Sequence, residues 1–277
     1  TLNLGVGITY HIISINIAIG FGFMNPDIGQ GKTKYLDLQG HLYPAKWAID
    51  WMGQFYKGYY LSPKGFAAAS PTSFYQRPDM DVTLLGISAY RIFNHKKFSY
   101  RAAFVQNEWQ KKSAGTFLLG GEINYGVVEA DSAFVPRQLR SEYPQGGINN
   151  VNFFSFGPGI GYAYTLVVKK HFFATGSLNV NLNLGFANEY GYFKYGYKAY
   201  VNPFSVFRMA VGYNSDRWNV SANWVGNRLP IQGGEPADNY SLNTGNYRFV
   251  IAKKIVPRKK FQKGLTEIDK LYRYKDK

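Results

Sequence analysis

Residues 13–23 read ISINIAIGFGF: every odd position from Ile13 to Phe23 is large and apolar, and every position between them is small or polar. A helix would scatter this pattern around its circumference, whereas a strand sorts it onto two opposite faces. The same period of two recurs in Leu2/Leu4/Val6/Ile8, Leu36/Leu38/Leu42, Trp47/Ile49/Trp51/Phe55 and Leu85/Ile87. It continues in Phe98/Ala102/Phe104, Phe117/Leu119/Ile123/Tyr125, Phe154/Phe156/Ile160/Tyr162/Tyr164 and Leu178/Val180/Leu182/Leu184/Phe186. Phe207/Met209/Val211, Trp218/Val220/Ala222/Trp224 and Tyr247/Phe249/Ile251 complete a set of twelve expected strands.

The second face of these strands decides the class. A soluble sheet carries charge on its outer face, and soluble strands average about 5–6 residues. Here the strands are longer, and the face opposite the apolar stripe is Gly, Ser, Asn, Asp and Gln, which suits a watery lumen. The reading is an all-β, single transmembrane antiparallel up-and-down β-barrel of about 12–14 strands over residues 1–255; a soluble barrel is the alternative. Trp47, Tyr59, Tyr60, Phe93, Phe98, Trp109, Tyr213 and Trp218 are candidates for interfacial aromatic girdles. No run reaches about 18 apolar residues, which excludes a bundle of transmembrane helices.

Link lengths give a topology. Short links are expected near Tyr10-His11, Pro44-Ala45, Asn94–Lys97, Val167–His171 and Asn214–Arg217. Long ones are expected at Met24–Lys32, Leu61–Met80, Glu129–Asn149, Asn188–Ala199 and Val225–Thr244. Pairing Leu42 with Trp47, and Val211 with Val220, closes two hairpins. Two non-short links in succession, Asn107–Ala114 and Glu129–Asn149, imply a hidden crossing between Val128 and Val151, as an irregular strand or a lumen plug. With Thr1 outside, one further strand upstream would bring the barrel to about 14.

The 277 residues include 32 Lys or Arg against 17 Asp or Glu, a net charge of +15, and no Cys. Disulfides, thiol nucleophiles and Cys-based zinc sites are thereby excluded. The Gly29–Thr33 run ends like a phosphate loop but has Pro26 where Gly is required, and no helix is expected after it. No Gly-x-Ser-x-Gly elbow occurs. His41, Asp37 and Asp50 could bind zinc, but a hydrogen-bonded lumen network is the simpler reading. No catalytic residue, metal or cofactor is expected.

The inward candidates are Asp37, Gln39, His41, Asp50, Arg101, Glu122, Arg208 and Arg248, with the three Arg side chains able to pair with the carboxylates across the lumen. The end of the chain is separate in character. Lys253–Lys277 holds ten Lys or Arg against three acids, and Leu265, Ile268, Leu271 and Tyr272 recur at helical spacing. Residues 256–277 read as a basic periplasmic tail with a partner-binding stripe. No stacking platform or nucleic-acid motif accompanies the charge, so nucleic acid is not an expected partner.

The segments FGFMNPDIGQGKTKYLDLQ, WAIDWMGQFYKGYYL, NHKKFSYRAAFVQNEWQKKSAGTFLLGG and YAYTLVVKKHFF resemble an uncharacterised outer-membrane β-barrel family of the Bacteroidota, defined only as a domain of unknown function. The likeness runs over roughly Thr1–Val256. It implies a secreted precursor, insertion among outer-membrane lipid and lipopolysaccharide, and upstream residues, and it brings no activity or catalytic residue. The expected function is a non-enzymatic structural or accessory subunit of an outer-membrane protein assembly, with protein partners. A passive or selective pore is the alternative, and an outer-membrane enzyme a distant one.

Overall fold

Eleven of the twelve expected strands form. A computed structural model describes residues 2–10, 13–20, 23, 28–192, 195–234 and 239–254. Eleven strands run β1 (Asn3–Tyr10), β2 (Ile13–Gly20), β3 (Lys34–Leu42), β4 (Trp47–Leu61), β5 (Tyr75–Ile92), β6 (Ala114–Glu129), β7 (Ile148–Val168), β8 (Phe172–Gly191), β9 (Tyr195–Asn214), β10 (Trp218–Gln232) and β11 (Asn239–Lys253). They form one antiparallel sheet in strict sequence order. The sheet is curled, and side chains meet across its concave face: Asn246 Nδ2 of β11 donates to Gln39 Oε1 of β3 at 3.2 Å.

The two faces are inverted relative to an ordinary soluble protein. On β8, Leu178, Val180, Leu182 and Leu184 are 38–59% exposed on the convex face. Asn179, Asn181 and Asn183 between them are at most 2% exposed on the concave one. The same contrast sets exposed Phe154, Phe156 and Ile160 of β7 against buried Ser155, and exposed Phe117, Leu119 and Ile123 of β6 against buried Glu122 and Asn124. Glycines on β7 make room for the inner polar layer. A Cβ at Gly159 would overlap the Asn181 amide, and one at Gly161 the Asn179 amide.

Several expectations are corrected. Phe98/Ala102/Phe104 form no strand: the chain between β5 and β6 instead contains a π-helical turn, Arg101–Val105. Ser99 starts this turn by accepting the Ala102 N–H at 3.1 Å. Gln106 ends it with φ +60°, donating its N–H to the Arg101 carbonyl at 2.6 Å. Phe98 is therefore buried rather than part of a surface girdle. With that strand gone the parity of crossings is restored, and no crossing hides in Glu129–Asn149. Val128 pairs directly with Val151 in the β6–β7 ladder, so both lie on one rim.

Two of the expected long links are mostly strand. β8 and β9 continue to Gly191 and from Tyr195, and β10 and β11 continue to Gln232 and from Asn239. The registers also shift by two residues: Leu42 faces Ile49, and Val220 faces Tyr213. The first turn is centred one residue later than expected, with the Trp47 N–H bonded to the Pro44 carbonyl at 3.0 Å. The second is tightened by Ser215, whose N–H and hydroxyl both donate to the Trp218 carbonyl at 3.0 and 2.9 Å. The tail and its stripe, Leu265, Ile268, Leu271 and Tyr272, lie outside the described residues.

Candidate functional site

The concave face is filled in layers from one rim to the other. At the rim of short turns the inserted segment 98–106 folds into the opening. Phe98 and Tyr100 are buried there against Tyr43, Tyr90, Ile92 and Leu118, with Tyr100 edge-on to Tyr43 at 5.5 Å, and Ala103 packs against Phe173 and Ala210. The insert reaches the opposite wall through polar groups. The Tyr100 hydroxyl bonds Ser177 of β8 at 2.5 Å, and Asn214 Nδ2 of β9 donates to the Ala102 carbonyl at 3.2 Å. Gln106 bonds both Ser221 and Asn219 of β10, and Trp109 Nε1 donates to the Lys170 carbonyl at 2.5 Å. Burial raises the Tyr100 phenol above its ordinary pKa, so it stays protonated and available for the Ser177 contact.

The middle layer carries the charges. Asp50 of β4 accepts from the Tyr43 hydroxyl at 2.6 Å, from Arg208 Nη2 of β9 at 2.8 Å, and shares a proton contact with His41 Nδ1 at 2.6 Å. The Asp50–Arg208 pair thus ties together walls that are 158 residues apart in sequence. Asp37 accepts from Gln39 at 3.1 Å, Gln54 at 3.2 Å and Tyr56 at 3.0 Å. The network expected from sequence is brought together only in part. Arg248 donates to Gln39 at 3.4 Å rather than to a carboxylate. Glu122 accepts from Asn124 at 3.2 Å and Asn183 at 2.7 Å and forms no ion pair among the described residues.

Arg101 stands apart from these groups. It sits on the inserted turn and pairs with Glu108 of the same segment, because it is not carried by a strand at all. A cavity of about 100 Å³ remains among His41, Asp50, Glu122, Arg208 and Arg248. It is polar and roomy enough to hold ordered waters. Among the described residues no three His, Asp or Glu side chains are grouped to hold a metal ion.

The far rim holds the feature that the sequence reading missed. The 130–147 connection is latched across the opening by Arg77, only 3% exposed. Its Nε and Nη2 bond the Asp79 carboxylate at 2.9 Å each. Its remaining donors reach the carbonyls of Ser132 at 2.9 Å, Ala133 at 2.9 Å and Phe134 at 3.0 Å. A fork of donors on one planar cation suits Arg and no other side chain. Arg77 faces inward because the β4–β5 register shifts between Lys57 and Tyr59, and such an irregularity re-aims the side chains beyond it. Gly58 sits in that shift with φ +92°, packed so closely under the Lys32 carbonyl that a Cβ would overlap it.

Beneath the latched connection Leu84, Phe153, Tyr200, Phe204, Leu229 and Ile231 form a buried apolar cluster. The chemistry of the concave face is cross-linking: it holds opposite walls of a curled sheet together. Against known families, the chain matches the one described as Domain of unknown function (DUF4421) over residues 1–252, and it belongs to that family. No curated protein matches it.

Proposed function

We propose that this member of the DUF4421 family is a non-enzymatic transmembrane β-barrel of the bacterial outer membrane, serving as a structural or accessory subunit of a protein assembly there. The observation that carries this reading is the inversion of the sheet, with apolar side chains outside and Asn, Ser and paired charges within. In water, monomers rarely expose apolar patches beyond a few hundred Å². In hydrocarbon, the same outer face is the stable one. Trp47, Phe93 and Trp218, exposed near the short turns, suit an interfacial girdle.

Orientation follows the usual rule that short turns lie on the periplasmic side. Strands β7, β8 and β9, of 21, 20 and 20 residues, are about twice the 9–11 needed to cross and would stand out beyond the far membrane face. β11 then runs inward, and the basic 256–277 tail reaches the periplasm. There the stripe of Leu265, Ile268, Leu271 and Tyr272 would meet a protein partner. Closure of the sheet through its end strands belongs to the same proposal, as does placement among the outer-membrane lipid and lipopolysaccharide of the Bacteroidota.

The capped ends and the bridged interior favour an anchor over a channel. The test is reconstitution into planar bilayers of protein first shown to be folded by its heat-dependent gel mobility. A silent bilayer supports the anchor, whereas large steady currents would support the pore, whose pathway would then be the charged cavity around Asp50 and Arg208. Loss of a copurifying partner on deletion of Gln262–Lys277 would support the role of the tail, and unchanged recovery would remove it.

A further inference from the structure

A second cavity, of about 400 Å³, opens at the long-link rim. One side is the latched connection, which contributes Phe134, Val135 and Tyr143; the other is the β10–β11 hairpin, with Ile231 and Leu242. Its floor is Val128 and Val151, a facing pair of the β6–β7 ladder, with Met80 beside them. Among the described residues no Lys, Arg, Asp or Glu lines it, and their polar lining is confined to side-chain amides and hydroxyls such as Gln145, Asn239 and Ser241.

We propose that this cavity is a binding site for a neutral, largely apolar small molecule. The volume falls within the range of about 300–1,000 Å³ typical of ligand pockets, which occur in the mouths of β-barrels. It is too small for a helix or a paired strand. The uncharged lining selects against ions, since a buried charge without a partner is strongly disfavoured. The pocket also has a built roof: three donor contacts of Arg77 hold the connection that carries Phe134, so the cavity is formed before any ligand arrives.

The four methionines provide the assay. Met80 lines the cavity and Met52 lines the deeper charged one, while Met209 is exposed on the convex face. Protein carrying ¹³C-methyl methionine is titrated in detergent micelles with N-phenyl-1-naphthylamine, an uncharged aromatic probe. The Met80 methyl signal should shift and saturate, whereas Met209 should drift in proportion to probe dissolved in the micelle. Val135→Trp and Leu242→Trp fill the cavity from opposite walls and leave Arg77 untouched. Either should weaken the saturating shift at least about tenfold, a change of about 1.4 kcal/mol. A Met80 signal that stays fixed or only follows Met209 in the native chain would overturn the proposal. So would unchanged saturation in either folded variant. Because the readout is local, it fails or succeeds independently of bilayer conductance.

Discussion

Replacing Arg77 by Met should release the 130–147 connection while leaving the sheet intact. Methionine matches the length of the stem but donates nothing, so the bonds to the Ser132, Ala133 and Phe134 carbonyls disappear together. A hydrogen bond from a charged donor contributes about 1.5–3 kcal/mol taken singly. The three share one guanidinium and are not additive, and Asp79 loses its buried partner at the same time. Removing one side of such a buried pair costs about 3–5 kcal/mol in all. Most of that falls on the closed state, where Arg77 bonds the Ser132, Ala133 and Phe134 carbonyls and Ser132 covers Asp79. The open population should then rise by a factor of roughly 10²–10³. Trypsin reads this directly, because Arg137 and Arg140 lie within the connection, and cleavage follows the open population when reclosing is fast. Cleavage there should accelerate at least about a hundredfold, with Arg77→Lys between the two and cutting at Lys96–Lys97 unchanged as the internal control. Equal cleavage rates in native protein and folded Arg77→Met would show that the guanidinium does not hold the connection.

Replacing residues 99–110 by a Gly-Ser linker of equal length should remove the insert that fills the short-turn rim, and planar bilayers should pass small ions where the native chain is silent; continued silence would move the barrier to the central layer or the far rim. Asp50→Asn should destabilise the fold by about 3–5 kcal/mol by leaving Arg208 buried without its counter-charge. The double change Asp50→Leu with Arg208→Leu should cost clearly less in urea titrations, and equal costs would mean that the two charges are independently solvated. Gly120→Ala should lower the urea midpoint by an amount corresponding to about 1–3 kcal/mol, because the added methyl would meet the Ala89 backbone carbonyl, which cannot rotate away. An unaltered midpoint would mean that β5 and β6 are farther apart than described.

The outer face was legible in the sequence because a period of two, once an apolar stripe is fixed, assigns every other side chain. That is why Asp37, Gln39, His41, Asp50, Glu122, Arg208 and Arg248 were all placed inward even where the register was shifted. A two-residue slip keeps each residue on its own face and only changes its neighbour: Asp50, expected opposite Gln39, stands opposite His41. Turn tips were read one residue early because Pro44 and Ser215 look like central turn residues but act at the edge, accepting or donating the closing bonds.

Segment 98–106 misled because Phe98, Tyr100, Ala102 and Phe104 also alternate. The signals against a strand were a Ser able to cap a turn and a counter-charge for Arg101 only seven residues on, at Glu108. Arg77 was not legible at all. Counting by twos from Leu85 and Ile87 puts it on the convex face, and only the register shift at Gly58 turns it inward. The extensions of β8 and β9 read as loops because their outer face is Tyr rather than aliphatic, as at Tyr190, Tyr195 and Tyr197.

The absence of cysteine allows single Cys substitutions to be spin-labelled in an otherwise unlabelled chain. Labels at positions 178, 180 and 182 on the convex face of β8, with a control at the Lys170 turn, would be measured in liposomes by their relative accessibility to oxygen and to a water-soluble nickel complex. Oxygen should dominate at all three strand positions and nickel at the turn, since the aliphatic face lies in hydrocarbon and the turn in water. Nickel access at 178, 180 and 182 comparable to that at the turn would contradict a membrane-spanning barrel.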